Sequence, residues 1–580
     1  MYGLRSLAFP LALALSCAHS PQPPMTSVTP QQAFEALAGE YLESSLALSP
    51  TEATLLGDHR YDGRWPDVSK DGEAKDQRFE EEILGRLRAI PREQLSPDAR
   101  VDAEMLETSL RFSGFARTEL RPAELHPLFY TGIIGAGLDP LVNREFGTRE
   151  TRAQSLASRL DGIPAVLTIA RARLTRPSKI QTETALHQVA GLLALTEKDL
   201  PEQFKDIPAV PPATARAAAS LRQFQTFLKD ELLPRSDGSF RIGRERFTTK
   251  LRFVLDDQVD PDALARSARE LLDRTQEEMV GTAKKIWAED RLGPLPPLGT
   301  ADQRRAFVRR ALDHLAKQTP TSQSILGDSR TWVEKATGFV RTKDLVRVPD
   351  EPLKVVEMPE YRRGVGVAYC DSSGPLEPKP ETFFAISPPP SDWPPARVQS
   401  FFREYNDSML ADLTVHEAMP GHYLQIMHSN TYPSKLRAVL GSGPFIEGWA
   451  VYSEWLMASK GFGGAKVKIQ QQKMILRMTA NALLDHGIHT GDMDERQAMD
   501  LMTRDAFQEE GEAAGKWNRA RLTSAQLTTY FYGYAEMMKL REAAQKAPAF
   551  SERAYHDRLL SHGSPGMRYL RQLMAAPQGG

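Results

Sequence analysis

The chain has 580 residues, of which 41% are hydrophobic and 26% are charged, and its formal net charge is −2. This balance is typical of a folded globular chain, because disordered chains are less apolar and further from neutrality. Near-neutral charge argues against nucleic acid as a partner, since nucleic-acid binders usually carry a strong basic excess. With only two cysteines, Cys17 and Cys370, no disulfide framework is expected to support the fold.

The N-terminus has the pattern of a secretory signal. Arg5 precedes an apolar run over residues 7–15, and small residues lead to Cys17. A lone cysteine after such a run predicts a lipoprotein signal over residues 1–17, with lipid carried on Cys17; the alternative is an ordinary cleaved signal. Residues 18–31 are rich in Pro, Ser and Thr, which predicts a flexible tether. We therefore expect export to the periplasm or cell envelope, with contact to a membrane only through a lipid anchor.

Residues 32–580 are predicted to form a mainly α-helical body. Apolar residues recur at spacings of three and four along most of this region, which is the period of an amphipathic helix. Asp260 precedes Pro261, a capping residue before a proline at the first helical position. We expect one large two-lobed body with a central cleft and the catalytic part at about residues 345–580. The clearest predicted helices span residues 31–48, 99–111, 152–173, 214–232, 261–290 and 300–316.

A proline-dense region, residues 344–395, interrupts the helical pattern. Short β-rich runs at residues 354–358, 365–369 and 381–386 predict a small β element just before the most histidine-rich helix. A strand in this position can bind an extended substrate through its free backbone edge. A purely structural hairpin fits the pattern equally well.

The segment around His416, Glu417 and His422 carries the functional prediction. In the common zinc-peptidase motif, two histidines four residues apart bind one ion and the adjacent glutamate activates water. Here the histidines are six apart, so on a straight helix they would point about 120° away from each other. Pro420 breaks such a helix and Gly421 permits unusual backbone angles. The sequence therefore predicts a bend that brings both histidines to one zinc ion; a lone histidine would instead favour a satisfied helix-end residue.

Two downstream carboxylates are candidates for the third protein ligand of a catalytic zinc. Glu447 and Glu454 are seven residues apart, hence on nearly the same face of a largely apolar helix. One of them is expected to bind the metal, and the other to orient a ligand histidine or line the cleft. A salt-bridged carboxylate is the alternative for either, and it suits Glu454 better.

Later residues offer weaker candidates. Tyr530 and Tyr534 are four apart on one helical face, so they can point together into a cleft, although core aromatics show the same pattern. Arg541 can bind a substrate carboxylate in two-pronged fashion, although a surface ion pair accounts for it as well.

The motifs resemble the bacterial family called domain of unknown function 885, which is similar to the helical gluzincin zinc peptidases. They are P-T-E-A-T-L-L-G at residues 50–57, V-H-E-A-M-P-G-H-Y-L-Q at 415–425, E-G-W-A-V-Y-S-E at 447–454 and L-D-H-G-I-H at 484–489. The resemblance implies that Glu447, and not Glu454, is the third ligand, which leaves Glu454 as the residue that orients a ligand histidine or lines the cleft. It further implies that His489 and Tyr530, with Tyr534, stabilise the oxyanion.

These observations predict a zinc-dependent hydrolase with one zinc ion. A metallopeptidase acting on short peptides is the first hypothesis. A zinc hydrolase of a non-peptide amide or ester is the second, since the same site would serve both. A non-catalytic envelope lipoprotein that keeps zinc for structure is the third.

Overall fold

The computed structural model describes residues 28–351, 353–358, 367–372, 374–377 and 381–575. The predicted signal, Cys17 and residues 18–27 of the predicted tether lie outside the described residues. No helix in the described part of the chain combines the length and the apolar character needed to cross a membrane.

The protein is mainly α-helical, as predicted. Residues 28–342 contain α1 Pro30–Leu48, α2 Pro50–Leu56, α3 Lys70–Arg88, α4 Pro97–Phe115, α5 Pro122–Leu125, α6 Pro127–Asn143, α7 Arg149–Arg173, α8 Lys179–Ala194, α9 Leu200–Gln203, α10 Val210–Thr226, α11 Arg244–Leu255, α12 Pro261–Glu289, α13 Ala301–Leu315 and α14 Ile325–Thr342. Residues 395–575 contain α15 Pro395–Glu404, α16 Asp407–Glu417, α17 His422–Ser429, α18 Lys435–Val439, α19 Gly443–Ser459, α20 Gly464–Thr490, α21 Glu495–Asp500, α22 Glu510–Leu522, α23 Thr528–Ala544, α24 Glu552–Leu560 and α25 Met567–Ala575.

Capping side chains explain several helix starts. Asp260 accepts a hydrogen bond from the Asp262 backbone N–H at the start of α12, so this predicted cap is confirmed. At α1, Thr29 and Gln32 form a reciprocal capping box, which satisfies two backbone donors at once. The helix therefore begins at Pro30, inside the segment that was predicted to be tether.

The proline-dense region forms a three-stranded sheet, which confirms the predicted β element. Its strands are β1 Lys354–Glu357, β2 Ala368–Ser372 and β3 Thr382–Ile386, in the order β1–β3–β2. β1 is parallel to β3, and β2 is antiparallel to it and forms an edge. The Val367 carbonyl accepts from the Ser387 N–H at 2.8 Å. Because backbone groups alternate in direction along a strand, those of Ala368 and Cys370 point away from β3.

Two large apolar cores give the body its two lobes. The first core joins buried residues between Val68 and Leu232, and the second joins buried residues between Phe247 and Leu570. A cavity of about 1930 Å³ opens between them. α6 and α8 line it on one side, and β2, α16, α20 and α22 line it on the other. This is the predicted central cleft.

The loop after β2 rests directly on the first lobe, at the end of the P-T-E-A-T-L-L-G motif. The Leu376 N–H donates to the Leu56 carbonyl at 2.9 Å. A Cβ on Gly374 would lie 2.0 Å from the Leu56 carbonyl carbon, so only glycine permits this approach. Arg144 donates to Asp371 at 3.1 Å from the same lobe. These contacts set the position of β2 beside the cleft.

Candidate metal centre

The chain bends sharply between α16 and α17, where the sequence predicts a break. α16 is capped by Asn406 and ends at Glu417, and α17 begins at His422. The Gly421 N–H donates to the Val415 carbonyl at 2.9 Å. A Cβ on Gly421 would lie 1.9 Å from the His416 carbonyl oxygen. Any larger residue would therefore prevent the chain from folding back onto the end of α16.

The bend brings both histidines to one carboxylate. The ring centroids of His416 and His422 are 4.8 Å apart, with the rings nearly perpendicular. Glu447 Oε2 lies 3.8 Å from His416 Nε2 and 3.5 Å from His422 Nε2. Ligand atoms of a tetrahedral zinc stand about 3.4 Å from one another, given bonds of 2.0–2.1 Å. One donor atom from each residue lies within 4.8 Å of the others, which is close to the spacing that a single ion needs.

The electrostatics of these three residues also suit a cation. Glu447 Oε2 is buried without a hydrogen-bond partner among the described residues, a costly state that a bound cation would relieve. Burial opposes ionisation of Glu447, but His422, His416 and Tyr530 outweigh it and hold its pKa below the usual value. Burial and the neighbouring His422 lower the pKa of His416. The donor set of two imidazoles and one carboxylate thus fits zinc.

Glu454 lies behind His416 and not between the two rings. Its side chain is fully buried, and its Oε1 is 2.5 Å from His416 Nδ1. An ionised Glu454 accepts the Nδ1–H, which leaves the Nε2 lone pair to bind a metal and holds the ring in place. Glu447 and Glu454 therefore have different positions: the first faces both Nε2 atoms, and the second orients one ring.

Glu417 lies beside the two histidines on the wall of the cavity. Its Oε2 accepts the Cys370 backbone N–H of β2 at 2.9 Å. The outward edge of β2 thus anchors this carboxylate, a contact that no sequence motif revealed. Burial, then Glu417, raises the pKa of the Cys370 thiol well above its usual value. The thiol stays protonated and unsuited to nucleophilic attack.

α19 is positioned by two contacts. The Trp449 indole N–H donates to the Pro420 carbonyl at 2.8 Å, which ties the helix to the bend. Gly448 meets Gly533 of α23 so closely that a Cβ on Gly448 would lie 2.5 Å from the Gly533 carbonyl carbon. This close crossing brings Tyr530 of α23 toward Glu447. Tyr530 lines the cavity, so it belongs to the site.

Three predicted residues are not brought to the cavity. Both His489 ring nitrogens face backbone groups: Nε2 donates to the Thr523 carbonyl at 2.9 Å and Nδ1 faces the Ile242 N–H at 3.5 Å. Tyr534 is buried in the second core. Arg541 is buried, pairs with Glu552 and lies 5.0 Å from the Trp455 ring, so its ion pair is internal and not on the surface. None of the three lines the cavity.

A set of cations on the second-lobe side of the cavity was not predicted from the sequence. Arg477, Lys516 and Arg519 line the cavity from α20 and α22. α22 carries no recognised motif. The only available signal was the spacing of Lys516 and Arg519, because residues three apart share a helical face.

Fold and site together define a helical protein with a two-histidine, one-glutamate metal-binding arrangement in a cleft between two lobes. The chain belongs to the family described as "Bacterial protein of unknown function (DUF885)", whose sequence model matches residues 50–574. This match confirms the resemblance inferred from the motifs. A search of curated proteins gave no significant match.

Two solved structures share this fold over nearly their whole length. The first is described as "a putative lipoprotein of unknown function" from Shewanella oneidensis; it is 29% identical, has a TM-score of 0.80, and the match covers 94% of this chain and 100% of that chain. The second is "the putative lipoprotein" from Colwellia psychrerythraea, at 17% identity and a TM-score of 0.76, with 94% and 99% covered. The second likeness concerns the fold alone.

Proposed function

We propose that this protein is a zinc-dependent hydrolase that cleaves short peptides in the cell envelope. One observation carries the proposal: donor atoms of His416, His422 and Glu447 lie within 4.8 Å of one another, with the Glu417 carboxylate beside them on the cavity wall. Two histidines, a carboxylate ligand and an adjacent carboxylate that is not a ligand are the parts that zinc hydrolases use.

Each part of the site would contribute a separate step or stabilising interaction to the hydrolysis. Zinc held there would polarise the substrate carbonyl and lower the pKa of water toward about 7. Glu417 accepts a proton from the attacking water and later delivers it to the leaving amine. The Tyr530 hydroxyl, which lines the cavity and faces Glu447, would donate a hydrogen bond to the carbonyl oxygen as it gains charge, an effect worth about 2.7–4 kcal/mol per donor.

The edge strand β2 favours a peptide over another amide. Its outward backbone groups lie on the same side as the Cys370 N–H that holds Glu417. An extended peptide can pair with the groups of Ala368, which also lines the cavity, and so place its scissile bond beside Glu417. The enclosing lobes favour short peptides over folded proteins, because a folded chain does not fit within about 1930 Å³.

Metal analysis combined with a peptide library tests the proposal. The purified protein is expected to hold one zinc and to cleave members of a short-peptide library monitored by mass spectrometry. Glu417→Gln should keep the zinc and lose turnover by about 100-fold or more. Glu334→Gln, an exposed carboxylate on α14, is the matched control and should behave as wild type.

The other outcomes contradict the proposal or point to a different function. Full turnover by Glu417→Gln, or a protein without zinc, would overturn the proposal. Turnover of a non-peptide amide or ester without peptide cleavage would identify the second kind of zinc hydrolase. Zinc without turnover of any substrate would leave a non-catalytic envelope lipoprotein.

We also infer that the mature protein is lipid-anchored in the envelope. The inference rests on the signal pattern over residues 1–17 and on the similar protein from Shewanella oneidensis described as "a putative lipoprotein". Mass spectrometry of the mature N-terminus checks it: a lipid-modified Cys17 is expected, and an unmodified N-terminus elsewhere would contradict it.

A further inference from the structure

Lys516 is a buried cation that faces the cavity without a partner. Only 7% of the residue is exposed, and it lines the cavity from α22. Its ammonium group makes no hydrogen bond or ion pair with any described residue. Burial, and then the neighbouring Arg477, lower the pKa of Lys516 to about 7. A buried ammonium in this state is costly unless an anion compensates it.

The carboxylates on the same wall are already paired with other cations. Lys473 Nζ lies 2.9 Å from Glu404 Oε2. Arg477 pairs with Glu512, which also accepts the Tyr405 hydroxyl at 3.2 Å. Glu509 lies 3.6 Å from Arg403. Glu512 and Glu447 are near enough to favour the charge on Lys516, but among the described residues neither forms an ion pair or hydrogen bond with it.

Arg519 is an exposed cation one helical turn further along α22. It lines the cavity and donates to Gln526 at 2.8 Å and to the Tyr530 hydroxyl at 3.4 Å. No carboxylate of the described residues forms an ion pair with it. Tyr530 in turn faces Glu447, so this pair of cations lies next to the metal centre.

We propose that Lys516 and Arg519 form a carboxylate-binding subsite that holds one end of a short peptide beside the metal centre. An arginine and a lysine on one helical face suit a carboxylate, since charge-assisted hydrogen bonds are the strong ones. The carboxylate is either the peptide's C-terminus or an acidic side chain. If the bound carboxylate is the C-terminus of the peptide, the enzyme cleaves the peptide near that end. Cleavage rests on the proposed function, but binding of the carboxylate does not.

Binding to the Glu417→Gln protein, loaded with zinc, tests the subsite without turnover. The probes are an N-acetylated tetra-alanine acid, its C-terminal amide, and the same amide with glutamate as its last residue. Calorimetry should give about tenfold or greater preference for the acid over the plain amide, as expected of a hydrogen bond to a charged group. Comparable binding of the glutamate amide would assign the subsite to an acidic side chain.

Variants of Lys516 then locate the effect. Lys516→Met should weaken binding of the acid by about tenfold and leave the plain amide unchanged, while Lys516→Arg should retain most of the preference. Lys539→Met removes the same charge from an exposed position on α23 and should change neither affinity. Thermal melting of each variant verifies that it is folded. Should Lys516→Met not fold, the acid-to-amide comparison and Lys516→Arg still decide the question.

The two proposals fail in different ways. Equal affinity for acid and amide, or equal weakening of both by Lys516→Met, would overturn the subsite. Wild-type protein that cleaves acid and amide with the same kcat/KM would also overturn the subsite while leaving the hydrolase intact. If the protein binds the acid more tightly than the amide but the wild type cleaves no peptide, the subsite is supported and the proposed peptidase activity is contradicted.

Discussion

Glu447 and Glu454 show how position within one helix separates two carboxylates of the same type. They lie on nearly the same face of α19, yet Glu447 Oε2 faces the Nε2 atoms of both histidines and Glu454 contacts Nδ1 of one. The residues alone left their roles open, because the choice depends on where α16 lies against α19. Spacing along a helix shows in which direction a side chain points, but not which residue of another helix it contacts.

We expect Glu454→Gln to weaken zinc binding without removing it. The amide keeps the shape and can still accept the His416 Nδ1–H, but the contact loses its charge. Loss of such a supporting contact typically costs about 10–100-fold in metal affinity. Competition with a chromophoric chelator measures the zinc Kd, and melting of the zinc-free protein checks the fold. An unchanged Kd would show that Glu454 does not orient the ligand.

Single residues were predictable where local chemistry decided their role. The pairing of His416, Glu417 and His422 followed from Pro420 and Gly421, whose effects on a helix are local. His489 was not predictable, because its ring direction depends on the carbonyl of Thr523 and on the stacking partner Phe247. Such partners come from distant segments that no spacing rule identifies.

At the scale of elements, the crossing of α19 and α23 sets the site. A Cβ on Gly533 would lie 1.9 Å from the Pro444 carbonyl oxygen, so the two backbones are nearly in contact. α19 carries Glu447, and α23 carries Tyr530. The distance between these two side chains is therefore governed by two glycines, Gly448 and Gly533.

Gly533→Ala is expected to force the two helices apart. The added methyl group should cost about 1–3 kcal/mol by overpacking, shift Glu447 and reduce zinc affinity. Gly338→Ala is the matched control, because a Cβ there meets nothing within 4 Å and alanine should stabilise α14 by about 0.5–1 kcal/mol. Denaturant unfolding and zinc titration measure both effects. Wild-type zinc affinity in Gly533→Ala would contradict the inferred role of the crossing.

Elements were largely predictable, and the exceptions have a physical cause. α12 and α13 match their predicted ranges to within one residue at each end, because caps and apolar period are encoded locally. β2 runs to Ser372, further than predicted, because Asp371 and Ser372 pair with Phe383 and Thr382. Strand ends depend on a partner strand, which sequence periodicity does not identify.

At the scale of the whole molecule, the cleft depends on how the lobes meet. The first lobe contributes α6 and α8 to one wall and also holds the loop after β2 through Leu56 and Gly374. The motif at residues 50–57 thus acts at a distance from the metal centre by setting the position of β2. Two lobes and a cleft were expected from the sequence, but not which residues of the first lobe face the cleft.

Histidines that the fold keeps neutral make the stability of the whole molecule depend on pH. Burial is the main cause that lowers the pKa of His126, His489 and His556 to about 4. In the unfolded chain the same side chains titrate near 6.5. Below that pH the unfolded state binds more protons than the folded state, so stability falls as pH decreases from 6.5 toward 4. Each histidine contributes a slope of at most about 1.4 kcal/mol per pH unit.

His556→Gln isolates one of these contributions. His556 donates from Nδ1 to the Leu345 carbonyl and accepts the Tyr452 hydroxyl at Nε2, both at 2.7 Å, an arrangement that requires the neutral ring. Between pH 7 and pH 5, protonation of His556 in the unfolded chain should lower the free energy of unfolding of the wild type by about 2 kcal/mol. The variant lacks this ring and should not show the decrease. In urea unfolding, the variant should therefore be the less stable protein at pH 7, with the difference narrowing at pH 5. A constant difference would mean that His556 is not held neutral by the fold.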